Sequence, residues 1–320
     1  MTFRENASLK TNQVRRGGGG GRRSGPGGGS MAAGGGVGGI LLLVLYLVFG
    51  GDAGGLGGGG TSGGGAGPGS ATGSNWNYDS RYVEPAGASN QGDAADPFPQ
   101  CQTGADANER VDCRMVGTVI SVQDYWSKAY DAYEPAQTVL FEGSTNTGCG
   151  AADSSVGPFY CPVDSTIYLD VSFFNQLEGM GADGGSLSQM YVVAHEYGHH
   201  IQNLTGALAR SQQDRQGPES GAVRVELQAD CFAGVWVANA SETVDAGGQA
   251  LLEPVSEQEI QSALSAAEAV GDDRIQQQAQ GRINPDVWTH GSAEQRQKWF
   301  LTGYNSADPN SCDTFNTDDL

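Results

Sequence analysis

Residues 195–199 read His-Glu-Tyr-Gly-His, and no other stretch restricts the fold around it as strongly. Histidines four apart lie one turn apart on the same face of an α-helix, so both rings can reach a single point. Two imidazoles hold one metal ion only if their helix is rigid, and rigidity requires burial against neighbours. Val192, Val193 and Ile201 supply the apolar flanks. Glu196, between the two histidines, is placed to hold and deprotonate a water rather than to bind the metal. Histidine is scarce: the four in the chain are His195, His199, His200 and His290. His200 lies about 100° round the helix from His199, which directs it away from any shared metal.

Composition divides the 320 residues unevenly. Residues 1–30 are basic and rich in Gly and Arg, and 51–75 are mostly Gly, too apolar-poor to offset the entropy of ordering. Between them, 31–50 holds the strongest apolar run, Val37 to Phe49 within a stretch of about 19 uncharged residues, just long enough to cross a bilayer. The basic residues Arg4, Lys10, Arg15, Arg16, Arg22 and Arg23 precede it, against Glu5 alone. That flank predicts a cytoplasmic N-terminus, one transmembrane segment at 31–50, and an extracytoplasmic domain over 76–320. A cleaved signal peptide is the alternative for the same run, whose densest apolar core is only 13 residues.

The cysteines agree with export. All six (Cys101, Cys113, Cys149, Cys161, Cys231 and Cys312) follow the apolar run. Short separations suggest Cys101–Cys113 and Cys149–Cys161, leaving Cys231–Cys312 to tie the C-terminal tail to a helix, in an oxidising compartment. The chain's net charge is −20 and residues 1–49 carry +5, so the remainder carries −25 and repels nucleic acid and anionic lipid. The lipid bilayer is expected as a partner only through the N-terminal segment.

Beyond residue 76 the pattern is globular and mixed. Apolar spacing predicts helices over 119–133, from Ser186 or Ser188 to Asn203 with Gly206 just past the end, and over about 221–240, 256–269 and 292–303. Strands are predicted at 137–141 and 165–170, separated by a Gly-rich loop bracketed by Cys149 and Cys161. The fold class is α+β, with a small mixed sheet and an active-site helix pair.

A catalytic zinc site needs a third protein ligand and an open position. Glu226 and Asp230, four apart in an otherwise apolar helix, are the best candidates. Glu226 completes a His₂Glu set with His195 and His199. Asp230 is then placed to accept the free ring N–H of a ligand histidine, most naturally His195.

These residues carry a resemblance. His195-Glu-x-x-His199 followed by Glu226-x-x-x-Asp230 resembles the gluzincin clan of zinc peptidases. Ala194 to Gln202, Glu226 to Trp236, Thr289 to Ser292, Val156 to Cys161 and Tyr168 to Asp170 resemble the bacterial family called putative neutral zinc metallopeptidases. The resemblance implies a zincin-like domain, one Zn²⁺ per chain, and a peptide or protein substrate. It also implies that His290 donates to the oxyanion, and that the strand at 165–170 lies at a sheet edge where substrate pairs.

The function expected is a membrane-anchored zinc peptidase with Glu196 as general base. Two alternatives stand beside it. One is a catalytically silent, zinc-containing extracytoplasmic binding protein. The other is a deformylase-like hydrolase with Cys149 or Cys161 as the third ligand, which needs a free thiol.

Overall fold

The computed structural model describes residues 1–17 and 96–320. The apolar run at 31–50 and the Gly-rich 51–75 lie outside the described residues. Among the described residues, no helix is long and apolar enough to cross a membrane.

Fourteen elements define the described chain. They are β1 (Val14–Arg16), α1 (Gly104–Glu109), α2 (Val111–Ala129), β2 (Gln137–Phe141), β3 (Ser144–Thr147), β4 (Gly150–Asp153), β5 (Phe159–Cys161), β6 (Thr166–Asp170), α3 (Phe173–Gly179), α4 (Ser186–Thr205), α5 (Gly221–Asn239), α6 (Glu257–Ala269), α7 (Asp272–Gln280) and α8 (Ala293–Ser306). The sheet runs β1-β2-β6-β5: β1, β2 and β6 are parallel, and β5 is antiparallel to β6. A separate hairpin pairs β3 with β4. The architecture is α+β with a small mixed sheet, as the sequence pattern predicts.

Helix α4 occupies the centre, packed against α2, α5 and α6, and it is buried continuously from Leu187 to Gln202. It ends where expected, at Gly206, whose left-handed φ of 78° suits glycine. Its N-cap, however, is Gly185 rather than Ser186 or Ser188. The Ser186 hydroxyl bonds Met1 instead, so tertiary contact has claimed a side chain that local sequence assigns to capping. Gly198 lets α5 approach closely, since a Cβ there would lie 2.9 Å from the Ala229 Cα. α5 and α8 touch through the same device at Gly234 and Gly303. Three helices are capped by serine side chains: Ser220 on α5, Ser256 on α6 and Ser292 on α8, the last two as capping boxes.

The N-terminal expectation needs correcting for the residues described. Residues 1–17 are not a free tail: Met1, Phe3, Ala7, Leu9 and Val14 are buried in the main core, and β1 pairs residue for residue with Thr138–Leu140 of β2. Arg16 Nε donates to the Pro97 carbonyl at 2.7 Å, so the chain leaves and re-enters this body at neighbouring points. Composition hides this because a few apolar side chains, placed at intervals among Arg and Asn, suffice to fill one groove. Segments that share a sheet cannot lie on opposite sides of a bilayer. Residues 1–17 are therefore part of the same folded body as the residues from 96 onward.

The cysteines form Cys101–Cys113, Cys149–Cys161 and Cys231–Cys312, with none free. No thiol remains to ligate a metal, which removes the deformylase-like alternative.

Candidate metal centre

α4 presents His195 and His199 on one face, and α5 runs beside it to present Glu226. Ligand atoms of all three residues lie within 4.8 Å of one another, and all three side chains are buried. His195 Nε2 is 3.2 Å from Glu226 Oε2, and His199 Nε2 is 3.5 Å from Glu226 Oε1.

The other ring nitrogens are held from behind. His195 Nδ1 donates to Asp230 Oδ1 at 2.8 Å, and His199 Nδ1 donates to Gln202 Oε1 at 2.8 Å. With both Nδ1–H groups engaged, both Nε2 lone pairs face Glu226, the tautomer a metal ligand requires. Two imidazole nitrogens and a carboxylate oxygen converging in a buried pocket match the donor set of a three-ligand zinc site, so these residues fit that ion.

Electrostatics support the same assignment. Burial pulls the His195 imidazolium down, but the Asp230 and Glu226 carboxylates outweigh it and hold its pKa up at about 9 when only protein surrounds it. Burial disfavours the Glu226 carboxylate, yet the neighbouring His199, His195 and His290 hold it well below the usual range. A cation is therefore strongly favoured at this point, whether protons or a metal supply it. Complete burial pushes Glu196 up, opposed in part by the nearby backbone of Tyr160 on β5, which favours the carboxylate.

His290 lies close enough to Glu226 for their charges to interact. Asp272 fixes its loop: Oδ2 accepts the backbone amides of Thr289, His290 and Gly291 at 2.8, 2.8 and 3.1 Å. Asp272 Oδ1 lies 3.3 Å from His290 Nδ1, and this carboxylate outweighs burial to raise the His290 pKa. His200 points away from the centre. Its Nε2 donates to the Glu134 carbonyl at 2.6 Å, and its Nδ1 accepts from the Tyr160 hydroxyl at 3.1 Å.

The strand at 165–170 requires a correction. β6 is interior, flanked by β2 and β5, so it has no free edge to offer. The edge strand beside Glu196 is β5, which is only three residues long. So short a strand within a Gly- and Cys-rich loop gives no alternation to read.

Four supporting residues escape a sequence reading. Gln202 was within reach, since it sits three residues after His199 on one helix face. Tyr191, one turn before His195, was also within reach. Asp272, beside Asp273 in an acidic pair, and Arg296, 101 residues from His195, are brought in only by the packing of α7 and α8.

Comparison with known proteins agrees with the geometry. Residues 1–315 match the family described as "Putative neutral zinc metallopeptidase". The uncharacterized protein Rv2575 of Mycobacterium tuberculosis is 56% identical over 223 residues, covering 69% of this chain and 76% of its own. The uncharacterized protein YpfJ of Escherichia coli K12 is 42% identical over 219 residues, covering 65% of this chain and 73% of its own. No solved structure matches the chain.

Proposed function

The chain belongs to the neutral zinc metallopeptidase family, and from that premise we propose that it hydrolyses peptide bonds in a zincin-like domain carrying one zinc. The observation that carries this reading is the convergence of His195, His199 and Glu226 beside a buried Glu196 that ligates nothing. Zinc, when bound, supplies Lewis acidity at the scissile carbonyl and lowers the pKa of the attacking water.

The protein's own residues do the rest. Glu196, raised by burial, accepts the proton of the attacking water and returns it to the leaving amine. His290, held by Asp272, donates to the oxygen that gains charge as the carbonyl becomes tetrahedral. An extended peptide lies along the edge of β5. A silent binding protein has no use for a desolvated Glu196 between the two ligand histidines, which weighs against that alternative.

Glu196→Gln is expected to keep zinc and lose about 10²- to 10⁴-fold in cleavage of an unfolded protein substrate. Glu226→Ala is expected to lose the zinc itself. Undiminished cleavage by Glu196→Gln would overturn the base assignment. The three disulfides favour an oxidising compartment, and residues 1–17 belong on the same side of any membrane as the catalytic body. Topology reporters placed at Gly17 and at Leu320 should read the same side; opposite sides would defeat this placement.

A further inference from the structure

Arg296 is fully buried, in the first turn of α8, and it makes no contact with solvent. A guanidinium removed from water is unfavourable unless its donors are used, and here they are. Nε donates to Asp230 Oδ2 at 2.7 Å and Nη2 to Asp230 Oδ1 at 2.9 Å, a bidentate fork. Nη2 also reaches the Tyr191 hydroxyl at 3.2 Å, and Nη1 reaches the Val270 carbonyl at 3.3 Å. The Tyr191 hydroxyl itself donates to Asp230 Oδ1. Asp230 is equally buried, so its carboxylate is anchored from two sides and cannot turn.

The direction of that anchoring matters. The fork fixes the plane of the carboxylate, and within that plane Oδ1 points at His195 Nδ1. The Arg296 Nη2 lies 3.4 Å from the same nitrogen, closing the space into which the ring could rotate. α8 carries this group to the site because Gly234 and Gly303 allow it to sit directly against α5, the helix bearing Asp230. An ion pair serving stability alone needs no such aim.

We infer that Arg296 is a positioning residue for the metal ligand His195, acting through Asp230 with Tyr191 as a second brace. The inference rests on the zinc reading of the site and adds a residue that the HExxH…ExxxD motif does not contain. The planar fork is the operative feature. A lysine ammonium preserves the charge but bonds a carboxylate as a point, leaving Asp230 free to tilt.

The test uses the full chain and reads zinc affinity by competition with a chromophoric chelator, with circular dichroism reporting the fold. Arg296→Lys is expected to fold and to bind zinc about 10- to 100-fold more weakly. In an Asp230→Asn background, where no carboxylate remains to be aimed, Arg296→Lys is expected to cause no further loss. This second comparison stands even if Arg296→Lys proves unstable alone. Wild-type zinc affinity in folded Arg296→Lys would overturn the inference, as would an equal additional loss in the Asp230→Asn background. Failure of the wild-type chain to bind zinc at all would overturn the site reading with it, which distinguishes the two failures.

Discussion

His195 and His199 face one point from successive turns of α4, yet the walls behind them differ in kind. Behind His195 stands an ionic wall of Asp230, Arg296 and Tyr191, drawn from α5, α8 and α4. Behind His199 stands a neutral one. Gln202 accepts the ring N–H and spends its own amide on the Val225 carbonyl at 2.6 Å and Gln228 Oε1 at 3.2 Å. Gln228 in turn donates to the Cys312 carbonyl at 2.8 Å, beside the Cys231–Cys312 disulfide. The difference shows how orientation can be separated from charge. Asp230 makes His195 a stronger donor, and Arg296 offsets only part of the carboxylate's charge at that ring. Gln202 orients His199 without adding any charge, so Glu226 remains the one uncompensated anion among the groups that would hold the ion.

The ionic wall should be the more damaging one to break. Asp230→Ala leaves Arg296 buried without its counter-ion, and breaking such a pair destabilises by about 3–5 kcal/mol. The loss should appear in denaturant unfolding of the apo protein, together with about 10- to 100-fold weaker zinc binding. A stability change under about 1 kcal/mol would mean that water reaches Arg296 and that the wall is not ionic in the sense described.

The neutral wall should yield less. Gln202→Leu fills similar space but removes the acceptor of His199 Nδ1 and one donor to Val225, an effect of about 1–3 kcal/mol. Zinc affinity should still fall by about 10-fold, because the His199 ring loses its fixed tautomer. If Gln202→Leu cost as much stability as Asp230→Ala, the distinction between the two walls would fail.

The parts of this site that were legible in the sequence are those built within one helix or between two consecutive ones. His195, Glu196 and His199 follow from a four-residue spacing, and Glu226 and Asp230 repeat it on the next long helix. The ionic wall draws on α8, and the support of His290 draws on α7; the arrival of both depends on tertiary packing. Nothing local distinguishes Arg296 from a surface arginine, or Asp272 from its exposed-looking neighbour Asp273. The same limit applies to the fold. Strands β2 and β6 show as apolar runs, whereas β1 and β5, each three residues long, exist as strands only because β2 and β6 offer them an edge. The basic character of residues 1–17 suggested a tail, because charge is easy to count and the five side chains that enter the core are not.

His200 extends the comparison to a third environment on the same helix, and it carries the smallest predicted effect. Neither a carboxylate nor a side-chain amide bonds its ring. Its partners are the Glu134 carbonyl, which can only accept, and the Tyr160 hydroxyl, which donates to Nδ1. Protonating Nδ1 would break the second bond and place a cation in a buried site, and burial accordingly lowers the His200 pKa below 6.5. The unfolded chain then binds this proton more readily than the folded one. Stability is therefore fully present above pH 6.5 and is lost as pH falls through 6.5 toward the folded pKa, with a slope of at most about 1.4 kcal/mol per pH unit. Unfolding of the apo wild type and of apo His200→Gln, measured from pH 8 to pH 5, isolates this contribution, because His195 titrates in both. The difference between the two curves should be constant above pH 7 and shrink below 6.5 as the wild type loses ground. Parallel curves throughout would show that His200 accepts its proton without disturbance. A lone histidine on α4 would then need no wall at all, and the contrast between the supports of His195 and His199 would lose its baseline.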